Sequence, residues 1–348
     1  MSAAGPVTRT AALVGGLTLG FVADRLFGDP RRFHPVAGFG RVAQAYEHRV
    51  YAPGRVPGIR LCGTLVAGTA ALGALAGCLP WPSRTLLTAA ATWAVLGGKS
   101  LGGEAMAVHQ LAQSGDLPAA RRRLKHLVGR DTDMLDEGEI ARAVIESVAE
   151  NTADAVVGSL FWGAVAGVPG LLAHRAANTL DAMVGHRSPR YERFGWASAR
   201  LDDLLGYLPA RLTVALIAAL GPLPDHSPSQ PDESNHRPLI WPKGAIASRI
   251  AHWRRVAAAV RRDAPAHPSP NAGPIEAAFA AALGRRLGGT NRYGRTVENR
   301  GTLGDGPPAE LADIPRAVAL ARRLGWAALL SVTAARTAIC LLGGVRRG

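Results

Sequence analysis

Residues 155–173 read AVVGSLFWGAVAGVPGLLA, which is 19 residues without a charged side chain. A helix that spans a membrane needs about 20 mainly apolar residues, so this run predicts one. Pro169 predicts a break inside it, because proline removes a backbone hydrogen bond and its ring clashes with the preceding turn. Directly before the run stands the densest polar segment of the chain, residues 146–154 with the sequence ESVAENTAD. The fold therefore has to place acidic side chains at the end of a lipid-embedded helix.

Further apolar runs lie on both sides of this one, at residues 11–23, 61–79, 85–98, 204–223 and 324–344. Only 19% of all residues are charged and 48% are hydrophobic, whereas soluble domains carry about 25% charged residues. We therefore predict an all-α, multi-pass integral membrane protein. It forms one membrane-embedded domain over residues 1–348, with extramembrane regions at 99–150 and 225–323. Glycines spaced by four predict close helix packing, namely Gly16 and Gly20, Gly73 and Gly77, and Gly163 and Gly167.

The distribution of positive charge predicts the orientation in the membrane. The net charge is +14, from 40 Lys and Arg against 26 Asp and Glu. Residues 80–83, PWPS, predict a tight turn that puts loops 28–58 and 99–150 on one side, and Arg121–Lys125 makes that side the cytoplasm of a cell-membrane protein. The arginines form no stripe with interleaved aromatic residues, which argues against nucleic-acid binding. The three cysteines lie in apolar runs and predict no disulfide framework.

Prolines also decide the expected path of the chain after residue 150. If the run at 155–173 turns back at Pro169, and the run at 204–223 turns back at Pro209, the basic segment 225–323 stays on the cytoplasmic side. We therefore expect two broken or re-entrant hairpins. Such irregular backbone at membrane depth is tolerated only where it is buried in protein or lines a cavity.

The acidic segment before the central run predicts a site. Glu146, Glu150 and Asp154 are spaced i, i+4 and i+8, so on a helix they share one face. Three like charges in a row need a positive counterpart, and Mg²⁺ prefers carboxylates together with waters and substrate phosphates. The alternative is an exposed acidic helix face that pairs with Arg142.

A second polar set, His174, Asn178 and Asp181, also falls on one helical face. It predicts either a binding face or hydrogen bonds between helices. Asp202 and Asp203 stand at the head of the next apolar run, where one of them can cap the helix and the other can add a metal ligand.

Two segments near the amino terminus complete the set of candidates. Gly28-Asp29-Pro30 and His34-Pro35 force non-helical backbone, which predicts either a simple turn or a rigid loop that presents Asp29 and His34. Gly98-Lys99-Ser100 is no P-loop, because the leading glycine of that motif would fall at Trp93. Lys99 can still neutralise a phosphate as a point charge.

Together these segments resemble the CobD/CbiB family of cobalamin biosynthesis, and the matching pieces cover most of residues 20–295. They occur in the family's order, as Asp24 with Gly28-Asp29-Pro30 and His34-Pro35, Lys99-Ser100-Leu101, residues 128–132 (VGRDT), residues 146–154, residues 178–185 (NTLDAMVG), Phe194-Gly195, Asp202-Asp203 and residues 287–293 (LGGTNRY).

The resemblance implies an amide-forming ligase, adenosylcobinamide-phosphate synthase. Such an enzyme joins adenosylcobyric acid to (R)-1-amino-2-propanol or its O-phosphate, with ATP and Mg²⁺, at the lipid bilayer. Which amine is used, and whether the chain forms a homo-oligomer, stays open. Carried onto this sequence as a hypothesis, the catalytic residues are Asp29, His34, Glu146 and Glu150, the substrate- or phosphate-binding residues are Lys99, Ser100, Arg130, Asp131, Asn151, Asn178, Asp181, Asp202 and Asp203, and the metal ligands are Glu150 and Asp154.

Two other classes of function were weighed against the ligase. A related branch resembles AmpE, a membrane signalling protein without this ligation, and would be favoured if the acidic segment were missing. A transporter suits intramembrane charges and broken helices. However, the polar motifs here concentrate in loops and helix ends, and no inverted repeat is visible.

Overall fold

The computed structural model describes residues 5–30, 34–186, 188–222, 245–294 and 296–345. The helices of the described residues are α1 Pro6–Phe27, α2 Pro35–Val50, α3 Arg55–Leu75, α4 Trp81–Leu96, α5 Gly98–Gln113, α6 Leu117–Leu124, α7 Glu137–Asn151, α8 Ser159–Leu180, α9 Trp196–Leu220, α10 Ala245–Asp263, α11 Ala272–Leu283 and α12 Asp313–Val345. One antiparallel hairpin, of β1 Leu287–Tyr293 and β2 Thr296–Leu303, stands between α11 and α12.

The predicted all-α membrane fold is confirmed. Within the described ranges, five helical segments are long and apolar enough to cross a membrane, namely Pro6–Phe27, Arg55–Cys78, Glu137–Gly185, Trp196–Leu220 and Asp313–Gly343. The sequence does not predict the β-hairpin. The hairpin lies outside these five segments and packs on α7 and α11.

Glycines hold α1 against α4, as the spacing of four predicts. A Cβ added to Gly16 would lie 2.5 Å from Cβ of Thr88, and one added to Gly20 would lie 2.5 Å from Cβ of Thr92. In each of the other two glycine pairs, only one glycine lies at a close helix contact. Gly73 meets the backbone of Pro169 and Gly163 meets Leu17, whereas Gly77 faces open space and Gly167 makes a turn.

The central apolar run forms the expected re-entrant hairpin. Gly167 has a φ of 71°, which breaks the helix two residues before Pro169. The two arms then lie side by side: a Cβ on Gly158 would be 2.5 Å from Cε1 of His174, and Asn178 Nδ2 donates to Asp154 Oδ2 at 3.4 Å. The chain therefore returns to the end of the bundle from which it entered.

The prediction of a second hairpin, at residues 204–223, is wrong. Helix α9 is continuous from Trp196 to Leu220 and passes through the buried Pro209. Proline is tolerated in such helices where neighbouring groups satisfy the freed carbonyl.

The two ends of α9 contact different parts of the bundle. Just before α9 begins, the carbonyl of Phe194 packs on Gly58 in the first turn of α3. At its other end, the carbonyl of Leu220 accepts a hydrogen bond from Arg323 at 2.8 Å. Arg323 precedes Gly325, which lies against the end of α1. The end of α9 thus lies beside the part of α12 that packs against the end of α1.

Candidate functional site

The loop after α1 is fastened to the start of α5. The backbone N–H of Asp29 donates to Ser100 Oγ at 3.1 Å, and Lys99 Nζ donates to the carbonyl of Leu26 at 2.7 Å. Nε2 of His34 lies 3.7 Å from Oδ2 of Asp29. Asp29 and His34 therefore lie near each other, and Lys99 and Ser100 of α5 hold the chain on either side of Gly28.

The mouth of the re-entrant hairpin gathers a second group of charges. Asp154 lies on the outgoing arm and Asn178 and Asp181 on the returning arm, and Asp202 reaches them from α9. Arg175 donates to Asn178 Oδ1 at 3.3 Å and is the cation amid this group. The charges of Asp154, Asp202 and Asp29 all act on it, so the hairpin mouth and the loop after α1 form one polar region.

Glu150 faces a third group, away from the hairpin arms. Its Oε1 is 3.4 Å from Nη1 of Arg300, and the same guanidinium nitrogen is 3.7 Å from Oε1 of Glu276. Glu276 is 3.7 Å from Nε2 of His267. Burial, with the negative charges of Glu150 and Glu146, raises the pKa of Glu276 well above its usual range. Burial, with the charge of Arg300, lowers the pKa of His267, so this imidazole is neutral at pH 7.

Glu146 is a buried anchor for the β-hairpin. It pairs with Arg130, accepts the backbone N–H of Gly288 at 2.9 Å, and lies 3.6 Å from Arg142. Arg130 donates in turn to Asn291 Oδ1 at 2.6 Å. Because its carboxylate is filled with partners from the protein itself, Glu146 and Arg130 fit a structural role better than the predicted roles in catalysis and phosphate binding.

The three acids of the predicted row have separate partners in the structure. Glu146, Glu150 and Asp154 engage three different sets of partners. The helix widens at Thr152–Gly158, where the backbone adopts a π-helical turn, and such turns change the direction of the side chains that follow. The groups still connect, because the charges of Glu150 and Asp181 act on Asp154.

Three other predicted residues have local roles, namely Asp131, Asn151 and Asp203. Asp131 accepts the backbone N–H of Gly294 at 3.0 Å and so holds the turn between β1 and β2. Asn151 is exposed and donates back to the carbonyl of Ser147. Asp202 and Asp203 do not cap α9, because the helix begins six residues earlier, at Trp196. Asp203 instead accepts from Arg200 at 3.4 Å.

Sequence reasoning missed four ionisable residues of the region: Arg175, His267, Glu276 and Arg300. Glu276 had a signal, since it is the single acid in the apolar helix AGPIEAAFAAAL. An isolated charge in such a helix is functional by default. Arg175 follows His174 directly at the end of the central run. His267 and Arg300 had no signal, because only the tertiary fold brings a loop and a strand to α7.

A cavity of about 510 Å³ adjoins the polar region. Its basic lining residues are Arg25, Lys99 and Arg322, and Val148, Val156, Val318 and other apolar residues form much of the rest. The start of α5 divides the two spaces, since Gly98 and Lys99 line the cavity whereas Gly97 and Ser100 contact Asp29. The volume falls in the range of about 300–1,000 Å³ that small-molecule sites occupy.

The charges around the hairpin mouth suit a hard cation. Asp154, Asp181 and Asp202 offer carboxylate oxygens, and Asn178 adds an amide oxygen. Oxygen donors of this kind are what Mg²⁺ prefers, usually with waters and substrate phosphates in the remaining positions. Asp154, Asp181 and Asp202 thus lie together at the hairpin mouth, whereas Glu150 faces Glu276 and His267.

Comparisons with known proteins agree with the resemblance seen in the sequence. A family model described as "CobD/Cbib protein" matches residues 17–321. A Mycobacterium tuberculosis protein named "Cobalamin biosynthesis protein CobD" is 47% identical over 321 residues, which cover 91% of this chain and 94% of that protein. Proteins of the same name from Chromobacterium violaceum and Rhodobacter capsulatus are 42% and 40% identical, over 92% and 83% of this chain and 96% and 85% of theirs. No solved structure matches significantly.

Proposed function

Because the chain belongs to the CobD/CbiB family and so to cobalamin biosynthesis, we propose that it joins adenosylcobyric acid to (R)-1-amino-2-propanol, or to its O-phosphate, in an ATP-dependent amide ligation. The observation that carries the proposal is the meeting of Asp154, Asp181 and Asp202 around Arg175, beside a basic cavity.

The reaction needs an activated acyl group, because a carboxylate is a poor electrophile. An oxygen of the corrinoid carboxylate attacks a phosphorus atom of ATP and forms an acyl–phosphorus anhydride, with ADP or pyrophosphate as the leaving group. The amine nitrogen then attacks the acyl carbon. The C–N bond forms, the C–O bond to the phosphoryl group breaks, and the nitrogen gives up one proton.

Charge stabilisation is the main task of the protein in such a transfer. Arg25, Lys99 and Arg322 line the cavity and would hold phosphate oxygens. Mg²⁺ neutralises phosphate charge when it is bound, and Asp154, Asp181 and Asp202 would hold it. Arg175 keeps these acids together with its positive charge.

We assign Asp29 as the group that accepts the proton released by the amine. The backbone N–H of Val36 donates to Nδ1 of His34 at 3.2 Å, so the neutral ring carries its proton on Nε2, which faces Asp29. The carboxylate of Asp29 is then the proton acceptor of this pair, and His34 positions it.

A purified-component assay tests the proposal. Full-length protein in detergent is incubated with ATP, Mg²⁺, adenosylcobyric acid and either amine, and the products are identified by mass spectrometry. We expect amide formation, and a loss of at least about a hundredfold in Asp154→Asn. Asp133→Asn is the matched control, because Asp133 is exposed and, among the described residues, pairs only with Lys125. A wild-type protein that forms no amide from either amine would contradict the proposal, as would full activity in Asp154→Asn.

We also propose the cell membrane as the location, with the polar region on the cytoplasmic side. The described residues on that side carry the arginines of α6 and α10, and positive residues favour the cytoplasm. ATP and the corrinoid acid would then reach the site without crossing the bilayer.

A further inference from the structure

The geometry around Glu276 suits a metal ion. One oxygen each from Glu150 and Glu276, and one ring nitrogen of His267, lie within 4.8 Å of one another. A metal bound at about 2.0–2.2 Å from each ligand needs ligand atoms about 3.0–4.4 Å apart. Shifts of less than about 1 Å would therefore close the three groups on one ion.

Two of these three groups, the carboxylate of Glu276 and Nε2 of His267, are buried and lack hydrogen-bond partners in the described part of the chain, whereas Glu150 is 32% exposed and accepts from Arg300. The side chains of Glu276 and His267 are 0% and 1% exposed. Among the described residues, neither carboxylate oxygen of Glu276 has a hydrogen-bond partner, and Nε2 of His267 has none either. Burying polar groups in this way costs free energy unless something binds them.

The local charges also favour a bound cation. In the described part of the chain, Arg300 is the arginine or lysine that contacts Glu150 and Glu276, and its Nε is also 3.7 Å from Glu298. One guanidinium thus serves three carboxylates. Glu146 adds no uncompensated negative charge, because Arg130 and Arg142 already neutralise it. A divalent ion that displaces the proton of Glu276 would balance the two negative charges that Arg300 leaves uncompensated.

The donor set points to a transition metal and away from Mg²⁺. Imidazole suits Zn²⁺ and Mn²⁺ sites that also contain carboxylates, whereas Mg²⁺ takes oxygen ligands. Nδ1 of His267 lies 3.4 Å from the carbonyl oxygen of Ser269. A proton on Nδ1 would face that oxygen and leave Nε2 free to bind, as in most metal-binding histidines. In the other tautomer Nδ1 accepts from Ser269 N–H at 3.1 Å and Nε2–H faces Glu276 Oε1 at 3.7 Å, so metal binding requires the first tautomer.

We propose that Glu150, His267 and Glu276 form a buried site for a divalent transition metal such as Zn²⁺ or Mn²⁺. The site is separate from the group at Asp154 that would hold Mg²⁺. It ties α7 to α11 and to the loop before α11, beside the hairpin strand that carries Arg300. The inference does not rest on the proposed ligation.

Metal binding to the full-length protein tests the site. Tag-free protein in detergent is stripped with a chelator, given Zn²⁺ or Mn²⁺ and desalted, and bound metal is counted by elemental mass spectrometry. We expect about one bound ion per chain, and at least a tenfold weaker affinity in Glu276→Gln and in His267→Gln. Asp154→Asn should bind the same amount as wild type while losing ligation, which separates this site from the proposed function.

Two further measurements keep the test independent of folding. Each variant must elute as wild type on gel filtration, and zinc should raise the melting temperature of wild type but not of Glu276→Gln. X-ray absorption of the zinc-loaded protein should show nitrogen and oxygen ligands only. A stripped wild-type protein that binds neither metal would overturn the proposal, since Glu150 and Glu276 would then share a proton instead. Equal binding by folded Glu276→Gln would overturn it as well.

Discussion

At the scale of single residues, Glu146 is a buried carboxylate that stabilises the fold. Its spacing from Glu150 and Asp154 correctly placed it on α7, but spacing says nothing about which partners the fold supplies. Arg130 lies 16 residues earlier and Gly288 lies 142 residues later in the chain. Only long-range packing brings them together, and sequence periodicity does not contain that information.

Removing one member of this pair should destabilise the protein strongly. We expect Glu146→Leu to lower the free energy of unfolding by about 3–5 kcal/mol, because Arg130 would be left as a buried, unpaired charge. The double variant Glu146→Leu with Arg130→Met should recover part of that loss. Thermal melting in detergent measures both. Equal melting temperatures for the single variant and wild type would show that the pair is not needed.

Asp263 should give stability that depends on pH. Its carboxylate accepts from Arg262 and from the backbone N–H of Gly304 at 2.8 Å, and these bonds lower the pKa of Asp263. The stabilisation is therefore complete above the unfolded pKa of about 3.9 and is lost as the pH falls through the lower folded value. We expect Asp263→Asn to cost about 1–2 kcal/mol near pH 7 and less below about pH 4.

Asp305 provides the matched comparison for this measurement. It also pairs with Arg262, but its side chain is 79% exposed. Asp305→Asn should therefore change the melting temperature little at any pH. A loss in Asp263→Asn that stays constant down to pH 3 would contradict the assignment.

Close packing of α1 and α4 depends, at the scale of elements, on two glycines that the sequence identified. A Cβ on Gly20 would collide with the carbonyl of Ala89 and with Thr92, whereas one on Gly15 would make an ordinary contact of 3.6 Å with Thr85. We expect Gly20→Ala to cost about 1–3 kcal/mol. Gly15→Ala should be neutral or slightly stabilising, since alanine favours helix. Unfolding in detergent compares them, and equal effects would disprove tight packing at Gly20.

Helix breaks were only partly predictable from proline. Pro169 follows Gly167, and the glycine supplies the positive φ that lets the chain turn back. Pro209 has Leu208 and Ala210 beside it, and α9 continues through it. The difference is thus in the glycine, because a proline alone bends a helix but does not reverse it. The β-hairpin escaped prediction because its strands are rich in glycine and polar residues, which are weak strand formers.

The orientation of the whole molecule can be tested with the cysteines already present. Cys78 is exposed at the turn between α3 and α4, while Cys62 is buried. In right-side-out spheroplasts of cells producing a Cys340→Ala variant, an impermeant maleimide should label Cys78. With Cys78 also replaced by alanine, Asp133→Cys should react only after lysis, because Asp133 lies on the opposite side. The reverse pattern would contradict the proposed topology.

The overall architecture was more accessible from sequence than the site. Long apolar runs separated by arginine-rich loops follow directly from the demands of the bilayer, so the membrane class and the family were predicted correctly. The grouping of charges was not, because Arg175, Glu276 and Arg300 meet their partners only through tertiary contacts. Asp154 and Asn178 are an intermediate case, since their meeting follows once the turn at Gly167 is known.

The re-entrant hairpin has a consequence for how the protein is made. Its turn exposes backbone that lipid cannot satisfy, so it needs protein around it. Part of that shelter comes from the last helix, where Arg336 of α12 reaches the carbonyl of Val165 beside the turn. A nascent chain that has left the ribosome only as far as α11 would hold this segment without its final cover. Maturation should therefore be completed late in synthesis, and chains that stop before α12 should be cleared by membrane proteases.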